Sequence, residues 1–343
     1  IWTKTVGDGA DGAPAVPTGV STVGAFIGNI AISRDGRRLG WTSMEITGHV
    51  LARSGLDESP TPRITALTQG TGIRYTNPIP GRDGRVLMSG NRPGLGFSVH
   101  LLEADGTLRP LAPHPPGHTV TQWTPGGEAM VLTSHAEGPG VYALDPATDR
   151  ERWLFGLRDI PWPEHAQQSS AGPAMNLAFA SRFDRVALSI VKDGRPNLWM
   201  FGLKDLKPDG TLVQRTFETG GASYPAWSPD SRAIAYQCAE GTDMHVCVVD
   251  ADTGARTQIT HEPGQSWIGG WASDNDTIIF ASRRAAIWNI ATVSRRTGVI
   301  RQLTHFTDAT GFVRYPRWDD AHTRVLFERS EAVGRVWSVT LPQ

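Results

Sequence analysis

A pattern of four short extended runs returns seven times along this chain, at intervals near 45 residues, and nothing else in the sequence limits the fold as strongly. The clearest copy is Tyr224–Thr260, YPAWSPDSRAIAYQCAEGTDMHVCVVDADTGARTQIT. Tyr224–Trp227 is a short extended run. Ser228-Pro229-Asp230-Ser231 is a turn, because Pro presets φ and Asp and Ser bond their own backbone. Ala233–Ala239 and His245–Val249 are apolar runs, Asp252-Thr253-Gly254 turns the chain again, and Arg256–Thr260 alternates. Four short strands joined by tight links make an antiparallel meander.

Aligned on the residue before the first turn, the copies fall at Ile32, Pro80, Trp123, Phe179, Trp227, Trp271 and Trp318, with spacings of 48, 43, 56, 48, 44 and 47 residues. Four strands per period of this length predict a β-propeller. The expected architecture is all-β: a seven-bladed β-propeller of four-stranded antiparallel blades forming one domain over 1–343. The blades fall at about 29–69, 77–113, 121–157, 176–217, 224–260, 268–304 and 315–341. The last copy lacks a fourth strand, and the strand-like Ile1–Val6 is expected to supply it and pair the terminal edges.

The run Tyr-Pro-x-Trp-Ser-Pro-Asp, then an apolar strand, then Asp-x-x-Thr-Gly and Ile/Leu-Thr, resembles the TolB-type WD-like propeller repeat. Tyr224–Thr260 matches best, and Trp271–Thr304 and Tyr315–Leu341 match well. The resemblance implies a scaffold shared by TolB, the propellers of prolyl-oligopeptidase-type peptidases, oligogalacturonate lyases and sensor modules. A scaffold with that many uses fixes no function.

Lys and Arg number 33 against 34 Asp and Glu, a net charge of −1, so no global field favours nucleic acid. No apolar run reaches the ~18 residues of a membrane span. Cys238 and Cys247 lie on neighbouring strands of one hairpin. Buried reduced thiols are the expected state; a cross-strand disulfide is the alternative and would imply an oxidising compartment. A periplasmic or extracellular monomer is expected.

In a propeller the first strand of each blade lines the central channel, so the segments entering those strands form a funnel. The candidate ligand-binding residues there are Arg74, Tyr75, Trp162, His165, Gln167, Tyr224, Trp267, Arg314 and Tyr315. Arg74-Tyr75, Ser223-Tyr224 and Arg314-Tyr315 are read as equivalent pairs. Their tyrosines suit packing between blades, and Arg74 and Arg314 could fork a carboxylate or phosphate. Ile160–Pro173 is longer than its repeat mates, and Trp162 between Pro161 and Pro163 would make a rigid aromatic platform. His118, His135 and His165 are the candidates for a divalent metal, with solvated loop histidines as the plainer reading. The nucleophile-elbow, phosphate-loop and zinc-protease motifs are absent from the sequence.

These features predict a non-catalytic propeller, without a cofactor, that binds a protein, peptide or glycan at the funnel. The alternative is a metal-assisted polysaccharide lyase or hydrolase in which Lys192 or Arg314 neutralises a uronate.

Overall fold

The turn residues of the repeat close hairpins as their chemistry dictates. At Ser228–Ser231 the Asp230 carboxylate accepts from the Ser228 hydroxyl and the Arg232 amide, and Ser231 takes φ 59°. The computed structural model describes residues 2–3, 18–19, 26–54, 63–70, 73–92, 96–111, 119–135, 138–163, 167–168 and 177–340.

Strands β1 (Trp2–Thr3) and β2 (Thr18–Gly19) pair with each other, so Trp2–Thr3 is not the closing strand of the last blade. Next come β3 (Phe26–Ile32), the 17-residue β4 (Arg38–Ser54) and β5 (Arg63–Ala66). A meander follows in β6 (Arg74–Pro80), β7 (Val86–Arg92), β8 (Gly96–Leu102) and β9 (Leu108–Leu111). Another is β10 (Thr119–Trp123), β11 (Ala129–His135), β12 (Gly138–Leu144) and β13 (Glu151–Gly156).

The short β14 (Gln167–Gln168) adds to a meander of β15 (Leu177–Phe179), β16 (Arg185–Lys192), β17 (Arg195–Lys204) and β18 (Lys207–Gln214). Then come β19 (Ala222–Trp227), β20 (Ala233–Glu240), β21 (Asp243–Asp250) and β22 (Arg256–Gln258). The last full meander is β23 (Gln265–Trp271), β24 (Thr277–Arg284), β25 (Ile287–Ser294) and β26 (Ile300–Gln302). β27 (Gly311–Trp318) and the 17-residue β28 (Arg324–Thr340) end the described chain.

The seven expected blades are therefore not seven sheets. Four blades stand as separate four-stranded meanders, those begun by β10, β15, β19 and β23, the second of them extended by β14. The β6–β9 meander belongs to a nine-stranded sheet ordered β27-β28-β4-β6-β7-β8-β9, with β5 also on β4. The first and seventh copies of the repeat thus share a sheet: β28 neighbours β4, with Ser330 close against Gly48, and β5 also pairs with β4. Each of β4 and β28 continues as one 17-residue strand past the point where the repeat would turn.

The chain divides into two compact units, Ile1–Ile46 with Ala332–Gln343, and Thr47–Glu331. In the smaller unit β3 pairs with Leu39–Met44. There Trp337 stacks on Trp41 and its Nε1 donates to the Ser43 hydroxyl at 2.7 Å.

In the larger unit apolar clusters fill the spaces between successive sheets. One joins Ala233, Ala235, Val246 and Val248 of β20–β21 to Ile268, Ile278 and Phe280 of β23–β24. Both faces of the middle strands are covered, so Ala233–Cys238 is buried without interruption. The marker tryptophans also stitch each sheet to the one before. Trp123, Trp227 and Trp271 donate Nε1 to the carbonyls of Ile79, Ala178 and Ala226 at 2.9–3.0 Å. Arg85, Arg185 and Arg295 cover those rings. Trp318 breaks the pattern: its Nε1 is buried without a hydrogen-bond partner. Cys238 and Cys247, expected as free thiols, form a disulfide instead, their Cα atoms 5.8 Å apart on paired strands.

Two outcomes follow from these contacts. Trp271→Phe should destabilise by about 1–2 kcal/mol through loss of one hydrogen bond and part of a cation–π contact. Trp318→Phe, which loses no bond, should be near neutral in the same denaturant titration. Asp105, Asp145 and Asp250 have carboxyls held below the ordinary range, chiefly by the backbone N–H groups of Thr107, Ala147 and Thr253. Groups depressed in the folded state add stability that is complete above the unfolded carboxyl range and is lost as pH falls through the folded values. The unfolding midpoint should stay flat toward pH ~5 and drop below pH ~4, and Asp250→Asn should shrink that drop.

Candidate functional site

The first strands of the meanders of the larger unit, β6, β10, β15, β19, β23 and β27, line one cavity of about 740 Å³. Five of these six carry a one-residue bulge, at Thr76/Ile79, Val120/Gln122, Ser223/Ala226, Ile268/Gly270 and Arg314/Arg317. A bulge bends the strand and re-aims its side chains. In three of them the bulge is a residue with left-handed backbone followed by proline: Asn77-Pro78, Tyr224-Pro225 and Tyr315-Pro316, with φ 52°, 55° and 51°. Proline donates no ladder bond, and the residue before it is pushed out of the helical region, so the dipeptide suits a step out of register. For a tyrosine the conformation costs about 1–3 kcal/mol.

Side chains at the start of these strands form a column. Glu328 on β28 is fully buried and accepts from Arg74 Nε at 2.6 Å, from the Thr76 hydroxyl at 2.5 Å, and from the Ser330 hydroxyl. Arg74, so held, lies over Phe312 at 5.8 Å. The Arg314 guanidinium lies 4.6 Å from the Phe312 centroid and 4.4 Å from that of Trp267. Trp267 stacks on Tyr224 at 6.1 Å with 12° between planes. Burial pushes the Tyr315 hydroxyl up to about 12, with the Glu328 charge adding and Arg314 and Arg74 opposing. Tyr224 is raised too, by burial against the pull of Arg314. Both phenols are neutral hydrogen-bonding groups at physiological pH.

Arg74, Tyr224, Arg314 and Tyr315 therefore meet on the cavity wall, with Trp267 stacked behind them. Tyr75 does not join them. It is 7% exposed, packs with Val50, Ile73 and Met88, and meets His100 edge to face. The residue equivalent to Tyr224 and Tyr315 is Asn77, two positions on. Trp162 packs on the core between the β10–β13 and β15–β18 sheets and donates Nε1 to the Leu157 carbonyl at 2.7 Å, away from the cavity. Gln167 pairs with Val191 through β14. His118 and His165 fall outside the described residues, as does the His135 side chain on β11.

Sequence reasoning missed Glu328, Thr76, Phe312 and Arg317, which also lines the cavity. Only the Pro after Asn77, Tyr224 and Tyr315 signalled the bulges.

No protein-family model matches this chain, and no curated protein matches it by sequence. Solved structures do. A protein described as TolB from Agrobacterium tumefaciens superposes at TM-score 0.61 with 13% identity, over 83% of this chain and 99% of that one. TolB from Acinetobacter baumannii gives 0.52 at 12% identity, over 84% and 66%. An oligogalacturonate lyase from Vibrio parahaemolyticus gives 0.50 at 11% identity, over 83% and 98%. The fold is that of the TolB-type β-propeller. At these identities the likeness carries the propeller fold and leaves the chemistry to the residues of this chain.

The propeller's column stands on Glu328. Glu328→Gln should destabilise by about 3–5 kcal/mol, because a buried Arg74 loses its counter-charge. Glu328→Leu combined with Arg74→Met should recover most of that loss in denaturant titrations, since neither charge is then stranded.

Proposed function

We propose that this chain is a non-catalytic recognition module, a propeller that binds a protein, peptide or glycan ligand at the channel mouth made by Arg74, Tyr224, Arg314 and Tyr315. The observation that carries the reading is the prebuilt column. The Arg314 guanidinium is held against two rings, Tyr224 is stacked on Trp267, and the two tyrosines start from a left-handed backbone before proline. A site whose side chains are already immobile loses little entropy on binding. A concave wall of aromatic and apolar surface with a few fixed polar groups is what ligand sites are made of. The module works without a cofactor and as a monomer. Its disulfide supports a periplasmic or extracellular location, and among the described residues no helix is long and apolar enough to cross a membrane.

The test is a screen of the purified protein on peptide and glycan arrays, followed by titration of the best ligand. Tyr224→Ala and Arg314→Ala should each weaken binding by about tenfold or more, the scale of an anchor residue, with unchanged circular dichroism. Absence of any ligand, or binding indifferent to both substitutions, would sink the reading. Metal-dependent turnover of an acidic oligosaccharide would replace it with the lyase.

A further inference from the structure

Glu328 satisfies Arg74, yet two other guanidinium groups on the cavity wall have no acid to answer them. Arg314 and Arg317 both come from β27, three positions apart across the bulge. Among the described residues neither lies in an ion pair. Arg314 is held by its rings, and its Nε is buried without a hydrogen-bond partner. The Arg317 guanidinium lies beside Gly270 of β23, where a Cβ would meet Nη1 at 3.9 Å, an ordinary contact. Its one described hydrogen bond is a long one, 3.5 Å from Nη1 to the Pro316 carbonyl.

The acids of the same wall are committed or outlying. Asp319 accepts from Arg324 Nε at 3.1 Å and from the amides of Thr323 and Arg324. Asp320 is exposed at the turn. Burial draws Arg317 down to about 10, so it stays charged at neutral pH while losing hydration.

We propose that the channel seats a carboxylate of an acidic peptide segment, with Arg317 as the inner seat and Arg314 at the mouth. This rests on the recognition reading above and names the group recognised. A buried cation without a counter-ion is costly in free energy, and a carboxylate arriving edge-on can take two parallel N–H donors from a guanidinium. Arg314 is held beside Phe312 and Trp267, whose rings supply no hydrogen-bond acceptor, so its N–H groups remain for such a contact. The bulges favour a peptide as the bearer. Ladder pairing skips Asn77, Thr121, Tyr224 and Gly269, all on the cavity wall, so main-chain groups outside the ladder line the channel and can meet the amides of an extended chain.

The experiment titrates the full chain with three probes, a short polyglutamate peptide, the matched polyglutamine peptide and an oligogalacturonate, and repeats each with Arg317→Met. Polyglutamate should bind, weaken with salt, and lose about tenfold or more in affinity in Arg317→Met, the worth of one charge-assisted pair. Arg317→Met should also melt no lower than the wild type without ligand, because the substitution removes an uncompensated buried charge. If it does not fold, Arg317→Lys carries the test, with a smaller loss expected because an ammonium makes no two-pronged contact.

Equal binding of polyglutamate by wild type and Arg317 variants overturns the proposal. So does Arg317-dependent binding of the oligogalacturonate alone, which makes the seat one for an acidic sugar. Tyr224-dependent binding of polyglutamine that ignores Arg317 refutes this seat and leaves the recognition module standing. Binding by none of the probes refutes the seat, and the array screen then decides the module separately.

Discussion

The buried carboxylate of Glu328 is the point on which this molecule turns. A fully buried acid is costly unless its charge and lone pairs are answered. Here Arg74, Thr76 and Ser330 answer it from two strands, β6 and β28. Those strands flank β4 in the nine-stranded sheet, where residues from near the two ends of the described chain are drawn together. The approach is close enough that Gly48, bridged to Arg74, admits no side chain. A Cβ would come within 2.9 Å of the Arg74 stem and collide with the Ser330 hydroxyl. The ion pair therefore sits at the seam between the last copies of the repeat and the first, and it orients Arg74, the foot of the column that reaches Tyr224.

The repeat was legible because its cause is local. A middle strand covered on both faces must be apolar throughout, and the hairpins around it need turn residues. Runs such as Ala233–Cys238 and turns such as Ser228–Ser231 therefore recur wherever a blade does. The number of sheets was not legible by the same route. Aligning on the residue before the first turn counts copies of a motif, and a copy whose strand fails to turn back still contributes its marker. Ile32 and Trp318 were both counted, while β4 and β28, each running on for 17 residues, place half-copies in one shared sheet. The hairpin of Cys238 and Cys247 was legible too, but not the register that sets their Cα atoms 5.8 Å apart and decides for the disulfide over free thiols.

The site divides along similar lines. Arg74, Tyr224, Arg314 and Tyr315 could be found because they begin strands that a propeller turns toward its channel. Tyr75 was misplaced because matching tyrosine to tyrosine ignored the backbone. The proline after Asn77 marks the true equivalent, and Tyr75, lying between Arg74 and Thr76 that both turn to Glu328, is sent by strand alternation to the opposite face and the core. Glu328 and Arg317 carry no motif around them that would mark them in the sequence. Their meaning comes from what stands opposite them, Arg74 in one case and no acid in the other.

That contrast bears on where function lies. Elsewhere the larger unit follows its own rules: Trp123, Trp227 and Trp271 each find a carbonyl in the preceding sheet, and turn aspartates such as Asp105, Asp145 and Asp250 find their amides. β27 departs from those rules over five consecutive residues. Arg314 keeps an unanswered Nε, Tyr315 takes a left-handed backbone before Pro316, Arg317 is desolvated without an acid, and the Trp318 indole donates to nothing. β23, with the same bulge and the same marker tryptophan, shows none of these costs and places Gly269-Gly270 where β27 places Pro316-Arg317. A buried indole N–H without a partner recurs at Trp199 on β17; what sets β27 apart is that several such departures fall within five residues. Gly269 is the other half of the arrangement, since a Cβ there would collide with Pro316 of β27, and the two strands approach this closely only because it has none.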